Sequence, residues 1–366
     1  MRRRLSSAAP WLRAPATVCY LRHILRAGLA GAVLFLAALL PSTARAQAVG
    51  QVFQRANPSV VTIRTTEREI AGTEPGQFTG VAGLGSGVLI SADGKIMTAA
   101  HVVQLADKIT VEFLSGETVG AQVVASEPDA DVALLRLASV PAGAVPAWLG
   151  DSDRARIGDQ VLIIGAPYGI GHSLSVGYVS ARHKPNTIFG AMAAAEFLQT
   201  DAAINQGNSG GPMFNMQAEV IGVVSHIISK SGGFEGLGFV VSSNMARKLL
   251  LEQRSFWSGT AGFVLSGELA KVFNLPQPVG LLVQRIAKNP PAEGIGLRPG
   301  TMQATIGGQT LTVGGDIVLE VEGIRIENQE SYTRIQERLS RKRAGETIAL
   351  KVLREGRIIE LSGVKP

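Results

Sequence analysis

Three short segments constrain this chain more than any other feature: Thr-Ala-Ala-His at 98–101, Asp-Val-Ala-Leu-Leu at 131–135 and Gly-Asn-Ser-Gly-Gly-Pro at 207–212. They set out a base, an orienting acid and a nucleophile, in that order. A serine hydroxyl is a poor nucleophile at neutral pH. Acyl transfer by it needs an imidazole to take its proton and a carboxylate to hold that imidazole in one tautomer. His101, Asp131 and Ser209 are the candidates. The glycines around Ser209 have a chemical reason too. An oxyanion forming on a carbonyl must be met by backbone N–H groups, and only a turn of small residues lets a substrate come that close. The expected donors lie in Gly207, Asn208 and Ser209. Singly, a histidine in a β core or an aspartate after Pro128 and Asp129 is an ordinary structural residue; three such segments in one order are not.

The segments sit in a mostly β pattern. Short apolar runs at 60–63, 87–90, 109–113, 122–125, 132–137, 161–164, 220–225 and 238–241 are separated by Gly, Pro, Asp and Ser turns, the spacing of a sandwich or barrel. His101 and Asp131 fall in the first half of this stretch and Ser209 in the second. Two packed barrels with the site in the cleft between them are expected. Beyond them, Met245, Leu249 and Leu250 share a helical face, and Asn244 is placed to cap it.

These motifs, with Gly-Ser-Gly-Val-Leu-Ile at 85–90, Thr-Asp-Ala-Ala-Ile-Asn at 200–205 and Gly-Leu-Gly-Phe-Val-Val at 236–241, make residues 50–254 resemble the trypsin-like protease domain of the HtrA (Deg) serine proteases. The resemblance implies a double β-barrel, an endopeptidase acting on unfolded polypeptides, a homotrimer with Val52 and Phe53 among its contacts, and a first specificity pocket lined by Ile204 and Ile227. An apolar pocket of that kind suits Val or Ala before the cut. Such residues are mostly buried in folded proteins, so the expected substrates are misfolded or damaged chains. Asn208 stands where digestive relatives carry an aspartate that pairs with a new N-terminus, so switching by that ion pair is not expected.

Residues 256–364 resemble a PDZ domain through Gly-Glu-Leu-Ala-Lys-Val-Phe at 267–273, Gly-Leu-Leu-Val-Gln at 280–284, Gly-Leu-Arg-Pro-Gly at 296–300 and the segment 314–323. Such domains capture peptide C-termini by adding a strand to a sheet edge. The resemblance puts the carboxylate loop at Ser258, Gly259 and Thr260, where the family usually has apolar residues beside the glycine. It puts the groove helix at 329–341, with Tyr332, Ile335 and Leu339 on one face and Arg334, Glu337 and Arg338 elsewhere. Residues 301–313 are an insertion, and Gly307-Gly308 within apolar alternation predicts an extra hairpin.

The first 46 residues carry seven arginines and no acid, then a 14-residue apolar run (27–40) and Ala44-Arg45-Ala46. That is the pattern of an export signal with a small-x-small cleavage site. The run is short against the roughly 20 residues needed to cross a bilayer, so cleavage after Ala46 and release into the periplasm are expected, with an inner-membrane anchor as the alternative. The net charge of +6 comes from this leader. Without it 28 basic residues face 29 acidic ones, and nothing in the charge points to nucleic acid. The single cysteine, Cys19, leaves with the leader, so the remaining chain can form no disulfide. His172, His183 and His226 lie far apart without ligand spacing, so neither a metal nor another cofactor is expected.

Overall fold

A computed structural model describes residues 41–71, 77–185, 195–229, 231–288 and 290–365, with side chains from residue 48 onward. Most of the expected leader lies outside the described residues. Helix α1 (Pro41–Ala56) opens the described chain, and a compact unit begins within it at Val52. Val52, expected at a subunit contact, is only 2% exposed within the chain, and Phe53 is half-buried.

The first barrel is closed by six strands: β1 (Val60–Ile70), β2 (Phe78–Leu89), β3 (Lys95–Thr98), β4 (Lys108–Glu112), β5 (Thr118–Glu127) and β6 (Val132–Leu137), in the order β1-β2-β3-β6-β5-β4. Alternation explains it. In β1, Ile63 and Thr65 point inward while Arg64 and Thr66 face water, the period of two that a half-buried strand requires. Ile63, Leu89, Ile96, Val111 and Leu135 fill the interior. Helix α2 (Ala100–Val103) follows β3 at once.

The second barrel comprises β7 (Trp148–Leu149), β8 (Gln160–Gly165), β9 (Ser173–His183), β10 (Phe197–Thr200), β11 (Pro212–Phe214), β12 (Glu219–Ile227) and β13 (Gly238–Ser242). The ring β11-β8-β9-β10-β13-β12 closes by pairing β11 with β12, and β7 joins β12 in parallel. Strand β9 escapes sequence reading because its large residues point the wrong way. Leu174, Val176 and Tyr178 face outward, while Gly177 faces in. A side chain at Gly177 would come within 2.3 Å of the Ala202 nitrogen.

Helix α3 (Ser243–Arg247) and a π turn at Lys248–Glu252 end this body. Its cap is Ser242, whose Oγ accepts from the Met245 N–H at 3.4 Å, and not the expected Asn244. Asn244 lies inside the first turn and donates to Asp151 Oδ1 at 2.7 Å.

The third body is a sheet in the order β14 (Thr260–Ser266), β15 (Val279–Ile286), β18 (Ile317–Val321), β20 (Thr347–Arg354) and β21 (Arg357–Val364), with β19 (Ile324–Arg325) on β18. Around it stand α4 (Gly267–Val272), α5 (Pro291–Ile295) and α6 (Gln329–Arg341). A capping box by Asn328 and Ser331 fixes the start of α6. Ile335 and Leu339 are buried, Tyr332 is half-buried, and Arg334, Glu337 and Arg338 face water. The insertion is the expected hairpin: β16 (Met302–Ile306) and β17 (Gln309–Val313) turn through Gly307 and Gly308, both at positive φ. Its Leu311 is buried among Leu265, Leu282, Ile317 and Leu319.

This body docks on the first barrel. Arg285 of β15 bonds to Glu67 at 3.0 Å and reaches Glu69 at 3.5 Å, the Lys288 N–H donates to Asp107 Oδ1 at 2.6 Å, and Trp257 Nε1 donates to the Gln104 carbonyl at 3.3 Å. Beneath α6 lies an acidic pair. Burial pushes the Glu127 carboxyl up to about 7; the charge of Asp129 adds to the effect and a hydrogen bond with Ser255 opposes it. Asp129 is also raised by burial, against a hydrogen bond with Gln329.

Because the folded value exceeds glutamate's ordinary 4.5, the fold favours the protonated acid. Its contribution is complete below that ordinary value and is lost as pH rises through about 7. Glu127→Gln should therefore stabilise the chain at pH 8 by up to about 3 kcal/mol and by little near pH 5. Urea unfolding at the two pH values checks this; a larger gain at pH 5 would contradict it.

Candidate active site

His101 and Asp131 meet at one end of the first barrel, beside the paired strands β3 and β6. His101 stands at the start of α2, just after β3, and Asp131 ends a tight turn at Pro128–Ala130 in the left-handed region (φ 53°) before entering β6. Asp131 Oδ1 accepts from the His101 backbone N–H at 3.0 Å, and both carboxylate oxygens lie 2.9 Å from His101 Nδ1. A carboxylate can only accept. Nδ1 therefore carries the proton, and Nε2 is left with the lone pair a base needs. Burial opposes protonation of His101, but the hydrogen bond and charge of Asp131, helped by Glu67, outweigh it and hold the imidazole above its ordinary value. Burial likewise opposes ionisation of Asp131, yet the bonds from His101 and Ser225 keep its carboxyl below the usual range.

Ser209 comes from the second barrel, in the loop between β10 and β11. Its Oγ donates to the Ser225 carbonyl at 3.4 Å, and no hydrogen bond joins it to His101. Rotation about one side-chain torsion redirects such a hydroxyl. The turn around it is packed to the limit of glycine. A side chain at Gly207 (φ 101°) would lie 2.2 Å from the Ala166 carbonyl, and one at Gly210 (φ 81°) would lie 2.1 Å from Thr98 Oγ1.

Orientation of the 206–207 peptide follows from its neighbours. The Tyr168 N–H donates to the Gln206 carbonyl at 2.9 Å. In a trans peptide the N–H points opposite to the C=O, so Gly207 N–H faces away from Tyr168. Neither it nor Ser209 N–H has a backbone acceptor in this turn, whereas the Asn208 N–H donates to Asn205 O at 3.0 Å. Asn208 is thus removed from the expected donor set, because its N–H closes the turn that presents the other two.

Two serines that sequence reasoning missed complete the site. Ser225 of β12 donates from Oγ to Asp131 Oδ2, joining the barrels at the acid. Ser86 of β2, fully buried, donates to the Gly207 carbonyl at 2.7 Å, accepts from the Ala166 N–H at 2.9 Å, and receives the Ser209 carbonyl on its own N–H at 2.8 Å. The signal for Ser86 was its place in the 85–90 motif; nothing local marks Ser225. Ile204, 3% exposed, and half-buried Ile227 pack in one apolar cluster with Leu198, Val224 and Val240.

The expected carboxylate loop is differently disposed. Gly259 is left-handed (φ 70°), as a tight loop needs, but the Thr260 N–H donates to Ser258 Oγ at 3.3 Å and the two hydroxyls are bonded at 2.8 Å. The polar residues flanking the glycine bond each other, so Thr260 N–H is not free for a carboxylate. The Thr260 carbonyl on edge strand β14 accepts from Gln104 Nε2 of the first barrel at 3.1 Å. One cavity of about 940 Å³ runs from Gly262, Val264, Tyr332 and Ile335 to His101 and Asp131.

The fold and site define a trypsin-like peptidase body followed by one PDZ domain. A family described as trypsin-like peptidase domain matches residues 85–223, and one described as PDZ domain matches residues 236–362. A DegP-like periplasmic serine endoprotease of Halomonas elongata is 38% identical over 282 residues, 75% of this chain and 54% of its own. A do/HhoA-like periplasmic serine protease of Haemophilus influenzae is 35% identical, covering 75% and 56%. Among solved structures, a variant of the HtrA-type protease AlgW with a decapeptide is 30% identical at a TM-score of 0.52, covering 87% of this chain and 97% of that one. The chain belongs to the HtrA (Deg) family of serine proteases. It spans about half the length of the curated relatives it matches.

Ser86→Ala would leave the Ala166 N–H unpaired in a buried site, at about 1–3 kcal/mol. It should lower kcat/KM for peptide hydrolysis roughly tenfold and lower the melting temperature; a variant native in both measurements would refute the assigned contacts. Since His101 must be neutral to act as a base and its value is raised, kcat/KM should rise with pH through an inflection above 6.5. An inflection below that value in a pH–rate profile would count against the His101–Asp131 coupling.

Proposed function

We propose that this chain is an ATP-independent serine endopeptidase that degrades misfolded or damaged exported proteins. The observation that carries the reading is the His101–Asp131 pair set across a barrel cleft from a glycine-bound Ser209. In the proposed reaction Ser209 Oγ turns from the Ser225 carbonyl and attacks the scissile carbonyl while His101 Nε2 takes its proton. The oxyanion is met by Gly207 and Ser209 N–H, and His101 returns the proton to the leaving amine. Water then attacks the acyl-enzyme with His101 again as base. Ile204 and Ile227 form the specificity pocket. A charged side chain there would be desolvated without a partner, at a cost of several kcal/mol, while Val or Ala gains up to about 2 kcal/mol.

The reading includes an exported chain cut after Ala46 and acting in the periplasm, the compartment in the relatives' names. It also includes a protease domain at 50–254, a PDZ domain at 256–364 and assembly as a homotrimer. Among the described residues no helix is long and apolar enough to cross a membrane. A second reading, a regulatory protease whose PDZ domain senses peptide C-termini, is favoured by the Gln104–Thr260 bond. An incoming strand on β14 has to displace Gln104, which belongs to the segment carrying His101.

Ser209→Ala should abolish casein cleavage while leaving the fold intact, since triad members act as a unit; near-native cleavage would end the nucleophile assignment. Cleavage sites mapped by mass spectrometry should be enriched in Val and Ala before the cut, and enrichment in Lys or Arg would reverse the pocket assignment. Gln104→Ala separates the two readings. Under the second, it raises basal cleavage and weakens the response to added peptide. Under the first, both stay as in the native chain.

A further inference from the structure

His226 follows Ser225 on β12, at the point where the register with β13 shifts. Its Nδ1 lies 2.8 Å from Ser225 Oγ. The Ser225 hydroxyl has one hydrogen, and its bond to Asp131 Oδ2 uses it, because a carboxylate cannot donate. Ser225 Oγ can therefore only accept from His226, and Nδ1 of His226 must carry a hydrogen. With Nδ1 unprotonated, Ser225 would instead have to choose between donating to His226 and donating to Asp131.

The ring is held for this task. It stacks on Phe239 of β13 at 5.4 Å and 12°, and meets Phe197 of β10 edge-on at 5.5 Å and 77°. Its Nε2 is buried without a partner. A second proton there would be an unpaired buried donor on a charged ring, so the neutral Nδ1–H form is the one the site accommodates. The titratable groups facing it are Asp131 and His101, with His183 of β9 on Phe239 as well. Burial lowers its affinity for a second proton, Asp131 opposes that and His101 adds to it.

We propose that His226 is a positioning residue for the catalytic pair, fixing the Ser225 hydroxyl as a donor to Asp131 and through Asp131 setting the orientation and basicity of His101. The proposal rests on the reading of His101 and Asp131 as that pair. Asp131 divides its accepting capacity between Ser225 and His101. A Ser225 hydroxyl polarised by His226 takes a larger share, as donors in a chain strengthen one another. Without His226 more of the negative charge falls on His101, whose titration moves to higher pH, while the less firmly held carboxylate aims the imidazole less well.

The test uses His226→Phe, which keeps the aromatic stack and removes the donor, and His226→Asn, whose side-chain amide can replace it. In active protein, Phe should lower kcat three- to tenfold with KM within twofold of native, and Asn should restore most of the loss. In the Ser209→Ala background, proton NMR titration of His101 should shift upward by a few tenths of a pH unit in the Phe variant and return in Asn. That titration needs no turnover, so failure of the protease reading does not hide its outcome. An unmoved or lowered His101 titration overturns the proposal, as does a change in KM alone, which would make His226 a substrate contact. A Phe variant that does not fold by circular dichroism leaves the Asn variant to decide: native kcat and titration support the donor role, and loss of both overturns it.

Discussion

A carboxylate withdrawn from water must be met by hydrogen-bond donors, and the way Asp131 is met holds this site together. It accepts from the backbone and ring of His101 in the first barrel and from Ser225 in the second. Those bonds keep it ionised against the cost of burial. They also fix the histidine tautomer and pin the second barrel against the first at the acid. Asp131 is placed to receive all three because its backbone is left-handed at the end of the Pro128–Ala130 turn, a conformation aspartate tolerates better than most residues.

Close packing does for the nucleophile what hydrogen bonding does for the acid. Gly207 and Gly210 lie so near Ala166, Thr98 and Ser86 that a methyl group at either would force backbone apart. Ser86 then ties the turn to β2 and to the end of β8 through one hydroxyl and one N–H. The turn is a junction of three strands, and its shape is set by groups far away in sequence. Tyr168 adds a fourth restraint by holding the Gln206 carbonyl, which turns the Gly207 N–H to the other side.

The third body touches the first barrel at the segment that carries the base. Gln104, three residues after His101, gives its side-chain N–H to edge strand β14, receives Ser126 Oγ at 2.8 Å and accepts from Trp257 on its carbonyl. The edge where a peptide strand would add and the helix bearing His101 therefore share contacts. The acids Glu127 and Asp129 lie between that helix region and α6, so the surface joining the two bodies carries one carboxyl that burial pushes up to about 7 and a second that burial also raises.

Much was legible in the sequence because it depends on local pattern. The order His101, Asp131, Ser209, the mostly β alternation, the 301–313 hairpin with its Gly-Gly turn and the amphipathic α6 all follow from spacing, turn chemistry and residue type. Strand β9 was not legible, since its large residues face outward and a glycine faces the neighbouring backbone. Nor were Ser86 and Ser225, whose decisive bonds reach across 121 and 94 residues and leave no trace in periodicity. The structure also reassigned groups that residue type or the family resemblance had marked: Asn208 closes its own turn, Thr260 bonds to Ser258, and Asn244 yields the cap to Ser242. Sequence by itself determined which chemistry the chain carries, because that depends on which side chains are present. Tertiary structure decided which hydroxyl meets which carboxylate and which N–H is left free, because a hydrogen bond is a matter of ångströms and angles that only the packed barrels supply.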